Sequence, residues 1–227
     1  MVKAKVNLDL VDVLGQTPLL WVIKSGYIAV TKVLLENGAK TENLPNEDCR
    51  TFLDLAIKAH YAAVAKLLLV QSFKKNTENE SYVELILWAA ERGYKLVVLY
   101  LLEGGTCVDV TDDNGQTLLS KAVEKGWVGT VELLLKNNAG INLKDVGHCT
   151  PISKAAVNGY KVVVKLLLDH SSDANSLDQF GRTPLALAAT TGHYKVAQLL
   201  LEKSININSE DLKKQRHCNL GGIDIIE

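Results

Sequence analysis

The chain has 227 residues, 47% of them hydrophobic, and carries 25 Lys and Arg against 26 Asp and Glu for a formal net charge of -1 at pH 7. Such a composition supplies a core and excludes a largely disordered chain, and the balanced charge excludes the basic footprint with which a nucleic-acid binder holds phosphates. Neither a signal-peptide core nor an apolar run long enough to span a bilayer is read, so the expectation is an intracellular, cytoplasmic protein without membrane insertion.

In chain order, Ala4-Lys5-Val6-Asn7 reads as the tail of an earlier unit, and residues 1–11 are set apart as a preceding or degenerate repeat. The first full unit is "GQTPLLWVIKSGYIAVTKVLLENGA", Gly15 to Ala39. Its Thr17 hydroxyl is an acceptor suited to cap a helix, and Pro18 stands where a missing N–H is no loss, so a helix is predicted from there to the turn glycine, Gly26. A second helix is predicted from Tyr27 to the pair Leu34-Leu35. The second unit opens at Thr51 and has His60 in the turn place, followed by Tyr61 and by Leu68-Leu69.

The third unit departs from this. Its entry, "SFKKNTENESYVEL" (Ser72 to Leu85), lacks both Thr-Pro and the loop glycine, and Glu84 occupies the threonine place. The finger before it is expected to be the most mobile or irregular one. The fourth, fifth and sixth units are the most regular, opening at Thr117, Thr150-Pro151 and Thr183-Pro184, so the C-terminal half is expected to be the more stable. Beyond Asn208 a seventh unit begins, with Asp211 in register, and then fails at Arg216 and Gly221-Gly222; residues 209–227 read as a degenerate repeat or cap.

The threonine place recurs at Thr17, Thr51, Glu84, Thr117, Thr150 and Thr183, at intervals of 34, 33, 33, 33 and 33 residues. Other columns share the register. A small or apolar slot holds Val22, Ala56, Ala89, Ala122, Ala155 and Ala188, and the position after the turn holds a ring: Tyr27, Tyr61, Tyr94, Trp127, Tyr160 and His193. These rings are either a binding stripe or packing between units, and the spacing of one unit per ring favours packing. Five residues before the threonine place stand Asp12, Asn46, Asn79, Asp112, Asp145 and Asp178; eight before it stand Asp9, Asn43, Asn76, Asp109, Asn142 and Asn175. Short carboxylates and amides bond backbone two residues on and tolerate left-handed turns, so a finger loop is expected in every unit.

These columns resemble the ankyrin repeat, with its Gly-x-Thr-Pro-Leu-His-x-Ala start, its turn glycine and its leucine pair. The resemblance covers residues 12–208 in six units. It implies an α-class fold: an ankyrin-repeat solenoid of helix-turn-helix units joined by β-hairpin-like fingers. The family's histidine, which helps tie neighbouring units by hydrogen bonds, is replaced by Leu20, Asp54, Leu87, Ser120, Ser153 and Ala186, so the array is expected to rely more on packing. Asn142, Asn175 and Asn208 match a finger asparagine that an intracellular dioxygenase can hydroxylate in the family, although a turn-forming role explains them equally well.

No nucleophile elbow, P-loop, HExxH or dinucleotide fingerprint is present, so no enzyme, cofactor or small-molecule substrate is expected. His148-Cys149 and His217-Cys218 read as ordinary surface pairs, and Cys49, Cys107, Cys149 and Cys218 as reduced thiols with neither CxxC nor zinc spacing. The expected function is a non-catalytic scaffold that binds another protein on the concave face. The alternative is a regulatory or targeting piece of a larger protein carrying an enzyme, NTPase or channel domain.

Carried over by register, the family's partner-contacting slots are Val13, Leu14 and Gln16 in the first unit, Glu91 and Arg92 in the third, and Asp113, Asn114, Gln116, Glu124 and Lys125 in the fourth. In the fifth they are Val146, Val157 and Asn158, and in the sixth Gln179, Phe180, Arg182, Thr190 and Thr191. Phe180 is the expected anchor, an aromatic at a finger tip with no core to join. Trp21 and Trp88 are expected to pack between units.

Overall fold

The computed structural model describes residues 6–40, 53, 54, 65 and 80–202. The chain divides into two compact units, residues 1–85 with 96–106 and residues 86–95 with 107–227. In the first, α1 (Pro18–Lys24) packs on α2 (Ile28–Glu36). Helix α3 (Glu80–Arg92) runs from the first unit into the second, and all but the first residue of α4 (Lys95–Glu103) belongs to the first. The second unit contains α5 (Leu118–Glu124), α6 (Val128–Lys136), α7 (Pro151–Val157), α8 (Lys161–Asp169), α9 (Pro184–Thr190) and α10 (Tyr194–Glu202).

Each helix pair is built as its sequence column dictates. The Thr17, Thr117 and Thr183 hydroxyls cap α1, α5 and α9 by accepting from the N–H groups of Leu20, Ser120 and Ala186. Within the second unit first helix packs on first helix, α5 on α7 and α7 on α9, and second helix on second, α6 on α8 and α8 on α10. Ala122, Ala155 and Ala188 have no exposed surface, which lets the first helices approach closely, and Leu134, Leu167 and Leu200 close the layer beside them. A leucine buried this way contributes about 1.5–3 kcal/mol against exposure. One pair alone has too little apolar surface to close, so the stack is the folding unit.

The ring column resolves as packing between repeats. Each turn glycine holds a left-handed backbone, with φ of 73° at Gly93, 75° at Gly126 and 71° at Gly159. The ring of the following repeat lies directly on it: a Cβ at Gly93 would stand 2.5 Å from the Trp127 indole, at Gly126 3.0 Å from Tyr160, and at Gly159 2.5 Å from His193. Two of these rings also bond the chain beneath them. Trp127 Nε1 donates to the Glu91 carbonyl at 2.8 Å, and His193 Nε2 to the Val157 carbonyl at 2.9 Å, in both cases two residues before the seated glycine.

Several expectations require correction. Where the family's histidine is lost, the nitrogens of Trp127 and His193 bond across repeats in addition to the expected packing. At Thr150 the hydroxyl makes no helix cap; it meets Ser153 Oγ at 3.0 Å and Ser176 Oγ at 2.8 Å, which ties the fifth repeat to the approach of the sixth. The column Asp9, Asp109, Asn142 is not purely a local turn former. Asp9 Oδ1 accepts from Lys40 N–H, Asp109 Oδ1 from Gly140 N–H and Asn142 Oδ1 from Asp173 N–H, so each straps a loop 31 residues downstream.

The finger expected at the head of the third unit is absent where the structure describes it. Helix α3 already begins at Glu80 and spans 13 residues, whereas α1, α5, α7 and α9 span 7. Without a proline to fix the start, and with Glu80 and Glu84 as good helix formers, the helix extends back through the finger position. Residues 72–79 of that stretch, the second unit apart from residues 53, 54 and 65, and the seventh beyond residue 202 lie outside the described residues. Trp21 is exposed, and its Nε1 donates to Asp12 Oδ2 at 2.8 Å in its own repeat; most of the second repeat, against which it is expected to pack, lies outside the described residues. Trp88 is half-buried, edge-on to Tyr94 at 5.3 Å, with the Arg92 guanidinium 5.9 Å from its ring centre.

The two functions of a turn glycine are separable by mutation. At Gly159 an alanine meets both the left-handed strain, about 1–2 kcal/mol, and overlap with His193, about 1–3 kcal/mol more. At the finger glycine Gly181, with φ of 72° and no described atom within 4 Å of a Cβ, strain is the one cost that the described residues impose. Urea unfolding should therefore show Gly159→Ala as the more destabilised; equal losses would remove the ring seat as a source of stability.

Candidate functional site at the finger tips and first-helix ends

Every regular finger is wound around one carboxylate. Asp112 N–H donates to the Gln116 carbonyl at 3.1 Å, Gly115 N–H donates to the Asp112 carbonyl at 2.9 Å, and Asp112 Oδ1 accepts from Asn114 and Gln116 N–H, both at 2.9 Å. The same set recurs at Asp12 with Leu14 and Gln16, at Asp145 with Gly147 and Cys149, and at Asp178 with Phe180 and Arg182. The last turn residue is left-handed: Gly15, Gly115, His148 and Gly181, with φ between 57° and 73°. His148 is thus an exposed turn residue in a glycine place, and no cluster of His, Cys, Asp and Glu suited to a metal occurs among the described residues.

The second oxygen of each carboxylate takes a donor from the helix behind the finger. Nine residues on, Lys121 Nζ lies 2.7 Å from Asp112, Lys154 Nζ 3.0 Å from Asp145, and in the first repeat the Trp21 indole fills the same place. In the sixth repeat that slot is Leu187, and Arg182 substitutes from within the finger, its Nε at 2.9 Å and Nη2 at 2.8 Å from Asp178 Oδ2. Lys154 also reaches Glu124 Oε2 of the preceding repeat at 3.1 Å, and that oxygen takes Gln116 Nε2 at 3.4 Å. Lys154 and Asp145 each leave only 10% of the side chain exposed, so this pair is a buried brace and not a binding group.

The electrostatics follow. The Gln16 N–H, the Trp21 indole and the Leu14 N–H hold Asp12 below the ordinary carboxylate range. Burial alone would raise Asp112, but Lys121 and the N–H groups of Gln116 and Asn114 outweigh it, and Asp178 is held down by Arg182 and Phe180 in the same way. Burial, reinforced by Asp145 and Asp178, pushes the Cys149 thiol up, which disfavours the thiolate a nucleophile requires. Cys149 and Cys107 are both free thiols.

Within the second unit the fingers join through backbone. Val146 N–H donates to the Asn114 carbonyl at 3.0 Å and Gln179 N–H to the Gly147 carbonyl at 3.2 Å, which places Asn114, Val146 and Gln179 along one ribbon. Asp113 and Asn114 are exposed there, as are Val146 at 69% and Phe180 at 67%. The Arg182 guanidinium lies 4.9 Å from the centre of the Phe180 ring, so the aromatic packs on a neighbouring cation and keeps a free face.

At the first-helix ends, Glu91, Arg92, Lys125, Val157, Asn158, Thr190 and Thr191 are exposed or half-buried, but several polar groups there are occupied. Asn158 Nδ2 donates to the Lys154 carbonyl, and the Thr190 and Thr191 hydroxyls donate to the Leu187 carbonyl, finishing their own helices. Gln116 and Glu124 are partly buried in the brace described above. In the first unit, Val13 and Leu14 are exposed at the tip held by Asp12, and Gln16 is half-buried. The carboxylate with its donor nine residues on escapes the sequence reading as a pair, although Asp112-Lys121 and Asp145-Lys154 carry it visibly.

Residues 1–79, 70–145 and 130–211 each match a family model described as ankyrin repeats in three copies. No curated protein matches the chain.

Because folding lowers the pKa of Asp112 and Asp178, their stabilisation is complete above the unfolded value of about 3.9 and is lost as pH falls through it towards the lower folded values. The thermal midpoint should drop on acidification through that window. An Asp112→Asn/Asp178→Asn variant should start lower at neutral pH and lose less on acidification; an unchanged acid slope would exclude these carboxylates as its source.

Proposed function

The chain belongs to the ankyrin-repeat family, and from that premise we propose that it binds another protein through its finger tips and first-helix ends, without catalysing a reaction. The observation that carries this reading is the contrast at the fingers between a fixed base and a displayed tip. Carboxylate bonds and inter-finger backbone bonds immobilise the turn, while Val146 and Phe180 extend apolar surface into solvent. An apolar anchor held rigidly before contact loses little conformational entropy on binding, which favours recognition without rearrangement. The surrounding Asp113, Asn114, Gln179 and Lys125 supply the polar rim such a contact requires. The concave surface that the family's solenoids form from these slots is the proposed partner face. An intracellular, cytoplasmic setting accords with this use of free thiols and exposed fingers.

Arg182 is a poor test residue, because its removal also releases Asp178. Phe180→Ala and Val146→Ser leave the carboxylate turns intact. With the full chain as bait, each should weaken capture of a specific partner about tenfold, as expected for loss of an anchor, with the thermal midpoint unchanged. Undiminished capture by the double variant, together with loss on Lys165→Glu at the exposed second-helix face, would move the binding surface away from the fingers.

A further inference from the structure

Several second helices begin with cations where a helix favours anions. Lys95 opens α4, Lys161 opens α8 and Lys195 is the second residue of α10, while none of α4, α6, α8 and α10 has an acidic residue in its first turn. The partial positive charge of a helix start disfavours a lysine there. Lys165 stands one turn further along α8, and like charges four residues apart on a helix repel. All four lysines are exposed, and among the described residues none takes a carboxylate partner. Local stability therefore does not account for them.

Packing gathers these cations on one side of the second unit. Helix α8 lies against α6 and α10, and the Lys95 stem reaches α6, its Cδ 3.7 Å from where a Cβ at Gly129 would stand. Between the lysines lie apolar side chains that are not buried: Val162 is 63% exposed and Tyr194 62%, with Lys195 Nζ 5.8 Å from the Tyr194 ring centre. By repeat register Lys161 corresponds to Tyr194 and Val162 to Lys195, so charge and apolar surface alternate both along each helix and from α8 to α10. Glu132, half-buried in the place on α6 that Lys165 holds on α8, is the one carboxylate in this set; Asp169 and Glu202 stand at the far ends of α8 and α10.

We propose that the first halves of α8 and α10, with Lys95 beside α6, dock an acidic segment of a partner protein in which carboxylates alternate with apolar side chains. The occupant follows from complementarity. Unpaired ammonium groups facing one half-buried carboxylate attract anions, and carboxylates set over the helix starts also relieve the charge that the lysines add there. A bare polyanion would leave Val162 and Tyr194 in water, whereas a segment of mixed character covers them and meets the lysines together. This surface is formed by second helices, so it is separate from the finger tips and independent of the partner reading above.

The test is fluorescence anisotropy of a labelled peptide of alternating Glu and Leu, titrated with the full chain. Binding should saturate and weaken with added salt. Lys161→Glu should weaken it about tenfold through like-charge contact, and yet hold or raise the thermal midpoint, because an anion at the helix start is favoured and pairs with Lys165. Val162→Ser should weaken it too, and Phe180→Ala, at the other surface, should not. Lys161→Gln/Lys165→Gln takes the place of Lys161→Glu if circular dichroism shows that the latter does not fold. Absence of saturable binding overturns the proposal, as does equal binding of a peptide of Glu alone. Tighter binding of single-stranded DNA or of phosphatidylserine vesicles assigns the face to nucleic acid or membrane instead. A lowered thermal midpoint with peptide binding unchanged makes Lys161 structural, and loss on Phe180→Ala but not on Lys161→Glu returns the contact to the fingers; either overturns the proposal.

Discussion

A ring laid on a left-handed glycine is the contact on which the arrangement of the second unit depends. Only glycine offers both the backbone conformation and the bare Cα surface, and at Gly159 a single added carbon would stand 2.5 Å from the His193 ring. The ring fixes the distance between successive turns, and its nitrogen, in Trp127 and His193, fixes the direction by bonding a carbonyl of the repeat beneath. Helix packing then follows with little freedom, since alanines at Ala122, Ala155 and Ala188 leave room for one close approach only.

The fingers solve a different problem. A loop that displays apolar residues to water has no core to hold it, so its stability has to come from hydrogen bonds. One aspartate supplies them: two backbone N–H groups on one oxygen, and a Lys, Arg or Trp donor on the other. Charge-assisted bonds of this kind are roughly twice as strong as neutral ones, and they leave the tip side chains unconstrained. The buried brace of Asp145, Lys154 and Glu124 extends the same device across a repeat boundary, which couples finger position to helix stacking.

Much of this architecture is legible in the amino-acid sequence. The period, the Thr caps, the turn glycines and the finger aspartates announce themselves because each answers a local backbone requirement that a single residue type meets. The third repeat is legible only in part. Glu84 in the threonine place signals a departure, but the extension of the helix back to Glu80, at the expense of the finger, depends on competition between helix propensity and turn chemistry, which the pattern does not weigh. The roles of Asp9, Asp109 and Asn142 are also hidden, since a short polar side chain bonds a near backbone or one 31 residues away with equal chemistry.

The candidate site divides along the same line. By itself the sequence determined which positions are finger tips and helix ends, because register alone assigns them. Tertiary structure decided which of those side chains are available: Val146 and Phe180 extend outward, Gln116 and Glu124 turn into the brace, and Asn158, Thr190 and Thr191 are occupied in closing their own helices. It also decided that Trp21 serves its own finger. Local spacing encodes what a backbone can do, whereas exposure and pairing are set by whichever neighbour arrives in space.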